Sequence, residues 1–102
     1  MREILDEKSF NDATSSGAVM VDFWAPWCGQ CKAMMPMIEQ IEKENPNATF
    51  IKVNADELEV LSSRYDIQSL PTLVFLKNGA EVTRLSGMKP KSAIVNELNK
   101  II

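Results

Sequence analysis

Two residues of this 102-residue chain could carry a two-electron reaction, and they are its only cysteines. They lie in Val21-Asp22-Phe23-Trp24-Ala25-Pro26-Trp27-Cys28-Gly29-Gln30-Cys31-Lys32, spaced Cys-X-X-Cys. The left half of this stretch reads as a buried strand and the right half as the start of a helix. Helix positions three apart share a face, so Cys31 can stack over Cys28. Cys28 falls at the helix start, where unpaired backbone N–H groups and the helix dipole favour an anion. That environment lowers a thiol pKa and makes Cys28 the attacking thiolate, with Cys31 the resolving thiol one turn further in. Attack by Cys28 on a substrate disulfide gives a mixed disulfide, and attack by Cys31 then releases the reduced substrate. A purely structural bridge is a poor reading, because so short a loop removes little entropy from the unfolded chain.

Other chemistries are excluded by composition. The chain has no histidine, which removes Cys-His and Ser-His-Asp catalysis and every zinc site that needs His. Two cysteines alone cannot close a tetrahedral metal site within one chain, so no metal and no bound cofactor are expected. A net charge of −3 without a basic cluster argues against nucleic acid or an anionic membrane as the main partner. Apolar runs such as Leu73 to Leu76 are far too short to span a bilayer. The N-terminal Met1-Arg2-Glu3-Ile4-Leu5-Asp6 lacks the apolar core of a signal peptide. A cytoplasmic protein is the expectation, and there a cysteine pair favours catalysis over a structural bridge.

The size suits one domain spanning residues 1–102, and 45% hydrophobic with 25% charged content is ordinary for a packed globular chain. Glu3-Ile4-Leu5 reads as a short first strand. Ser9 can cap a brief helix to about Thr14, ended by Ser15-Ser16-Gly17. Ala18 to Trp24 is apolar and β-rich, as expected of a central strand covered on both faces, with Asp22 as the anomaly in its middle. The helix from about Cys28 to Asn45 has a buried stripe at Met34, Ile38 and Ile41, should be kinked by Pro36 inside it and stops at Asn45-Pro46-Asn47. Met35 and Met37 belong with that core or its rim rather than with an interaction face. Thr49 to Val53 reads as a second central strand. Asp56 with Glu59 resembles a capping box for a helix whose apolar face is Leu58, Leu61 and Tyr65. Pro71 precedes the strand Thr72 to Leu76, and Lys77-Asn78-Gly79-Ala80 signals a tight hairpin into a return strand from Ala80 to Ser86. A last helix starts near Pro90 and buries Ile94, Leu98 and Ile101. The order is β1α1β2α2β3α3β4β5α4, which implies an α/β fold with a mixed five-stranded sheet and four helices on its two faces.

At this point the chain resembles the thioredoxin family over nearly its whole length. The resemblance rests on the cysteine pair with Trp27 before it and Lys32 after it, the strand Val21 to Ala25, Pro36, Lys52, Leu70-Pro71-Thr72, Lys77-Asn78-Gly79 and Gly87. It implies the thioredoxin fold and a protein-disulfide reductase that works by dithiol–disulfide exchange. It also implies roles. Asp22 lies behind the disulfide and helps move a proton to or from Cys31. Lys52 lies near Asp22 and tunes its charge. Pro71, in the cis form, faces the cysteines and helps present the backbone to an extended substrate. Trp27, Gly29, Gln30, Leu70, Gly87 and Met88 form the surface that meets a client around Cys28. The implied partners are disulfide-containing client proteins and a thioredoxin reductase, which passes on electrons from NADPH to a monomeric carrier. One departure stands out: the family's usual second residue between the cysteines is proline, and here it is Gln30, whose backbone N–H near Cys28 would stabilise a thiolate.

Two rivals have their own discriminators. A more oxidising oxidase or isomerase would differ in reduction potential. A rigid binding module with incidental thiols would keep its activity when both cysteines become serine. The thiol assignment makes a direct prediction: Cys31→Ser should accumulate stable mixed disulfides through Cys28, whereas Cys28→Ser should trap almost none. Non-reducing electrophoresis after incubation with a disulfide-bonded protein reads the outcome; equal trapping by both variants would dissolve the assignment.

Overall fold

The computed structural model describes residues 1–102. The strands are β1 (Arg2–Ile4), β2 (Ala18–Trp24), β3 (Thr49–Asn54), β4 (Thr72–Lys77) and β5 (Ala80–Ser86). The helices are α1 (Glu7–Thr14), α2 (Gly29–Glu44), α3 (Glu59–Arg64) and α4 (Lys91–Leu98). The strands form one sheet in the order β1-β3-β2-β4-β5. β3 runs parallel to both β1 and β2, whereas β4 runs antiparallel to β2 and to β5. The expected element order and mixed sheet are thus present, with β2 in the centre.

Strand alternation divides the core in two. Ala18 and Met20 of β2, Phe50 of β3 and Leu73 and Phe75 of β4 pack with Met34, Ile38 and Ile41 of α2 and Ile94 and Leu98 of α4. Val19, Val21 and Phe23 point the other way, towards Phe10 of α1 and Leu61 of α3. Side chains alternate along a strand, so Asp22 shares the face of Met20, beneath α2 and α4. Pro36 inside α2 cannot donate to the carbonyl of Lys32, and an interior proline costs about 3 kcal/mol. Met34, Ile38 and Ile41 are almost wholly buried, each worth about 1.5–3 kcal/mol. The stripe outweighs the break, and the helix runs through.

The chain ends of several elements differ from the sequence reading. β1 begins at Arg2 and stops at Ile4, leaving Leu5 exposed. The cap of α1 is Asp6, whose carboxylate accepts a 2.7 Å bond from the Ser9 N–H. Ser9 therefore supplies the donor rather than the cap. Asp56 does not cap α3, which has Leu58 at its N-cap and no side-chain cap bond. Asn54 takes the local role instead: its Oδ1 accepts from the N–H groups of Asp56 and Glu57. Asp56 is recruited elsewhere, to Trp27. Ile101 is buried but lies beyond the end of α4.

The β4–β5 turn follows its residues. Lys77 pairs with Ala80, and Asn78 and Gly79 both take left-handed conformations, at φ 51° and 83°. Two such residues match the twist of an antiparallel pair. Asn78 also locks the turn to the loop before β2: its Oδ1 accepts from Gly17 N–H at 2.8 Å, and its N–H donates to Gly17 O at 3.0 Å.

Candidate active site

The site is built where β2 leaves the sheet. Trp24 ends the strand, Ala25 is buried, and the Cys28 N–H donates back to Ala25 O at 3.0 Å. Cys28 is then the N-cap of α2, in extended conformation with φ −85° and ψ 103°. Its sulfur accepts a bond from the Cys31 N–H at 3.2 Å, one of the donors that a helix start leaves without an intrahelical partner. This refines the reading of Gln30: the N–H that meets the Cys28 sulfur is that of Cys31.

Cys28 and Cys31 form a disulfide, with Cα atoms 5.3 Å apart. That separation lies within the ordinary range for such a bond. Cys28 keeps 6% of its surface exposed and Cys31 none, while Gly29 and Gln30 between them are exposed. A partner disulfide can thus approach the pair from the Cys28 side.

The register carries the other loops to the same end of the sheet. Phe23 of β2 sits opposite Thr72 of β4, which sits opposite Ser86 of β5. Leu70-Pro71 before β4 and Gly87-Met88 after β5 therefore emerge beside the end of β2. The Leu70–Pro71 peptide is cis, as expected. Gly87, at φ 82°, donates its N–H to Pro71 O at 2.8 Å and ties the two loops together. Trp27 is 70% exposed and Met88 51%. Trp27 is nonetheless held in place, because its indole N–H donates to Asp56 Oδ2 at 2.6 Å. Beside it lies a groove of about 250 Å³ lined by Trp27, Ala55, Asp56, Ser62, Ile67, Gln68, Ser69 and Leu70. The groove joins Trp27 to Leu70, while Gly87 and Met88 lie outside its lining. Asp56 is a site residue that sequence reasoning assigned to a helix cap; no local signal connects it to an indole 29 positions away.

Asp22 is fully buried, and neither carboxylate oxygen has a hydrogen-bond partner in the protein. Burial pushes its pKa from 3.8 up to about 7, opposed by the positive charge of Lys52 and assisted by the negative charge of Glu3. Lys52 sits directly opposite Asp22 in the β2–β3 register. It forms no ion pair with Asp22. Its Nζ lies 3.9 Å from Glu3 Oε1 and 5.0 Å from the centroid of the Trp24 ring. The expected neighbourhood of Lys52 and Asp22 is therefore present as strand register and field, without direct contact.

A disulfide at a helix N-cap, beside a cis-proline loop and at the end of the central strand of a mixed sheet, defines a protein-disulfide oxidoreductase. The family model described as Thioredoxin matches residues 2–100. The chain is 39% identical over 100 residues to a thioredoxin of Chlamydia pneumoniae, covering 98% of each sequence. It is 40% identical over 95 residues to a thioredoxin of Bacillus subtilis, covering 92% of this chain and 91% of the relative. A solved structure of Plasmodium falciparum thioredoxin superposes with a TM-score of 0.91 at 33% identity, over 98% of each chain. The chain belongs to the thioredoxin family, and its Cys28–Cys31 pair carries dithiol–disulfide exchange. Family members work with a thioredoxin reductase and with disulfide-bearing substrates. No helix is long and apolar enough to cross a membrane.

The buried acid leaves a signature in stability. The native state of the oxidised protein holds the Asp22 proton more tightly than the unfolded chain does. Its contribution is thus fully present below pH 3.8 and is lost as pH rises through about 7. A rise from 3.8 to about 7 corresponds to on the order of 4 kcal/mol of destabilisation once both states are ionised. Asp22→Ala should therefore be more stable than the parent at neutral and alkaline pH, with the advantage shrinking as pH falls. Urea unfolding of both oxidised proteins across pH measures it. A variant whose relative stability is greatest in acid contradicts the burial argument.

Proposed function

We propose that this chain is a general protein-disulfide reductase in which the two sulfurs have fixed, different roles. The observation that carries this reading is the asymmetry of the pair: Cys28 caps the helix and keeps some exposure, while Cys31 is wholly buried. In the reduced protein the Cys28 thiolate attacks one sulfur of the client disulfide, and the other client sulfur leaves with its electron pair and takes a proton. Cys31, once deprotonated, attacks Cys28, which expels the first client sulfur as the second thiol. The client gains two electrons and two protons, and the Cys28–Cys31 disulfide forms.

Asp22 takes the role of proton carrier for Cys31. A carboxyl with a pKa of about 7 can accept a proton and return it near neutrality, which an ordinary aspartate cannot. Lys52 tunes that carboxyl through its charge. Pro71 and its loop offer backbone to an extended client segment. Trp27, Gly29, Gln30, Leu70, Gly87 and Met88 supply the surface that meets the client, with the groove beside Trp27 taking a client side chain. The working unit is a monomeric single domain spanning residues 1–102, and a thioredoxin reductase drawing on NADPH restores its dithiol. A cytoplasmic location fits a carrier that has to be returned to the dithiol after each turnover.

The test is reduction of insulin disulfides, followed by NADPH consumption with a bacterial thioredoxin reductase present. The parent should turn over many times with the reductase and stop after one equivalent without it. Cys28→Ser/Cys31→Ser should be inactive, since no sulfur remains to exchange. Activity retained by the double variant would favour the binding-module reading, and absence of reductase-dependent turnover by the parent would overturn the proposed electron source.

A further inference from the structure

Glu3, Lys52 and Asp22 form one row across three strands. Glu3 is opposite Lys52 in the β1–β3 register, and Lys52 is opposite Asp22 in the β2–β3 register. Opposed residues project to the same side of a sheet, so one carboxylate flanks the ammonium on each side. The two carboxylates are not equivalent. Asp22 is fully buried and has no hydrogen-bond partner in the protein. Glu3 is part-exposed and doubly engaged: Oε2 accepts from the Trp24 indole N–H at 3.2 Å, and Oε1 lies 3.9 Å from Lys52 Nζ. The ammonium also lies over the Trp24 ring, whose face attracts a cation. Trp24, two residues beyond Asp22 on β2, thus engages Glu3 through its N–H and Lys52 through its ring.

We propose that Glu3 is a positioning residue for the exchange reaction: from β1, across Lys52 from Asp22, it draws the Lys52 ammonium to the outer side of the row and keeps it from closing on Asp22. This rests on the reading of Asp22 as the proton carrier. A lysine free to pair with Asp22 would fix the carboxylate in its charged form and remove its capacity to take up and return a proton near neutrality. Glu3 prevents that by offering the ammonium a wetter partner. It also adds a negative charge that itself favours the protonated acid. In the oxidised protein the charges that act on Asp22 are those of Lys52 and Glu3, and Cys28 and Cys31 of the neighbouring helix start do not titrate while they are joined as a disulfide. The remaining elements on this face contribute apolar side chains: Met34 and Ile38 from α2, Ile94 and Leu98 from α4, and Leu73 from β4.

The experiment follows the Asp22 carboxyl carbon by NMR against pH in the oxidised full chain, for the parent, Glu3→Gln, Lys52→Met and the double variant. The Gln side chain can still accept from the Trp24 N–H, so Glu3→Gln removes the charge with little loss of local packing. Its Asp22 midpoint should fall by roughly half a pH unit or more, as expected when an ammonium moves closer to a carboxylate. Lys52→Met should raise the midpoint. In the Lys52→Met background the effect of Glu3→Gln should shrink, because no ammonium remains to be released. An unchanged or raised midpoint in Glu3→Gln overturns the proposal, as does an equal shift with and without Lys52, which would reduce Glu3 to a distant charge. The pH profile of mixed-disulfide resolution, measured on the same variants, separates the two levels. It should move with the Asp22 midpoint; if the midpoint moves and the profile stays, Asp22 is not the proton carrier, and Glu3 has no part in the reaction.

Discussion

β2 is covered on both faces, and a single ionisable side chain is placed within it. Val19, Val21 and Phe23 fill the core under α1 and α3, while Ala18 and Met20 fill the core under α2 and α4. The strand is therefore fixed in register from both sides, since a slip of one residue would exchange the two sets. That rigidity positions the loop from Ala25 to Cys28 and the start of α2. It also leaves Asp22 in an apolar layer with no protein partner for either oxygen. Desolvation outweighs the pull of Lys52, and the result is an acid whose pKa sits at about 7. The same packing that holds the disulfide in place thus supplies a group able to exchange protons near neutral pH.

The opposite end of the energy scale is seen at the rim. Trp27 and Met88 present apolar surface to solvent at the edge of the site, a feature of surfaces that meet other proteins. Trp27 is not free to turn, because Asp56 holds its indole N–H. A pre-positioned aromatic ring loses less freedom when a partner arrives than a mobile one would. Around a small reactive pair, the fold therefore combines a buried, closely packed interior with an exposed and orientationally restrained margin.

Much of this was legible in the sequence because its causes are local. The Cys-X-X-Cys spacing, the Asn78-Gly79 turn and the stripe Met34, Ile38 and Ile41 each fix structure through neighbours a few positions away, and each is found as read. Asp22 was conspicuous because an acid in an apolar strand has no ordinary explanation. The features that escaped depend on distant contacts. Two acids that read locally as helix and strand residues, Asp56 and Glu3, are used by indoles 29 and 21 positions away. Lys52 illustrates the same point. Its place beside Asp22 followed from the resemblance, but its preference for Glu3 and the Trp24 ring needs the third strand to be in position. The cap of α1 moved from Ser9 to Asp6 because both can serve at a helix start, and only the backbone conformation decides between them.

The central claim is that Asp22 remains a neutral acid in the oxidised protein until pH approaches neutrality. Infrared difference spectra between the oxidised parent and oxidised Asp22→Ala test it most directly, because protonated and ionised carboxyl groups absorb at separate frequencies. At about pH 5 the difference should contain the carbonyl band of a protonated carboxylic acid, and at about pH 9 that band should be replaced by carboxylate bands, as required for a buried group titrating near 7. Carboxylate bands at both pH values would show that Asp22 is ionised throughout, and would contradict the account.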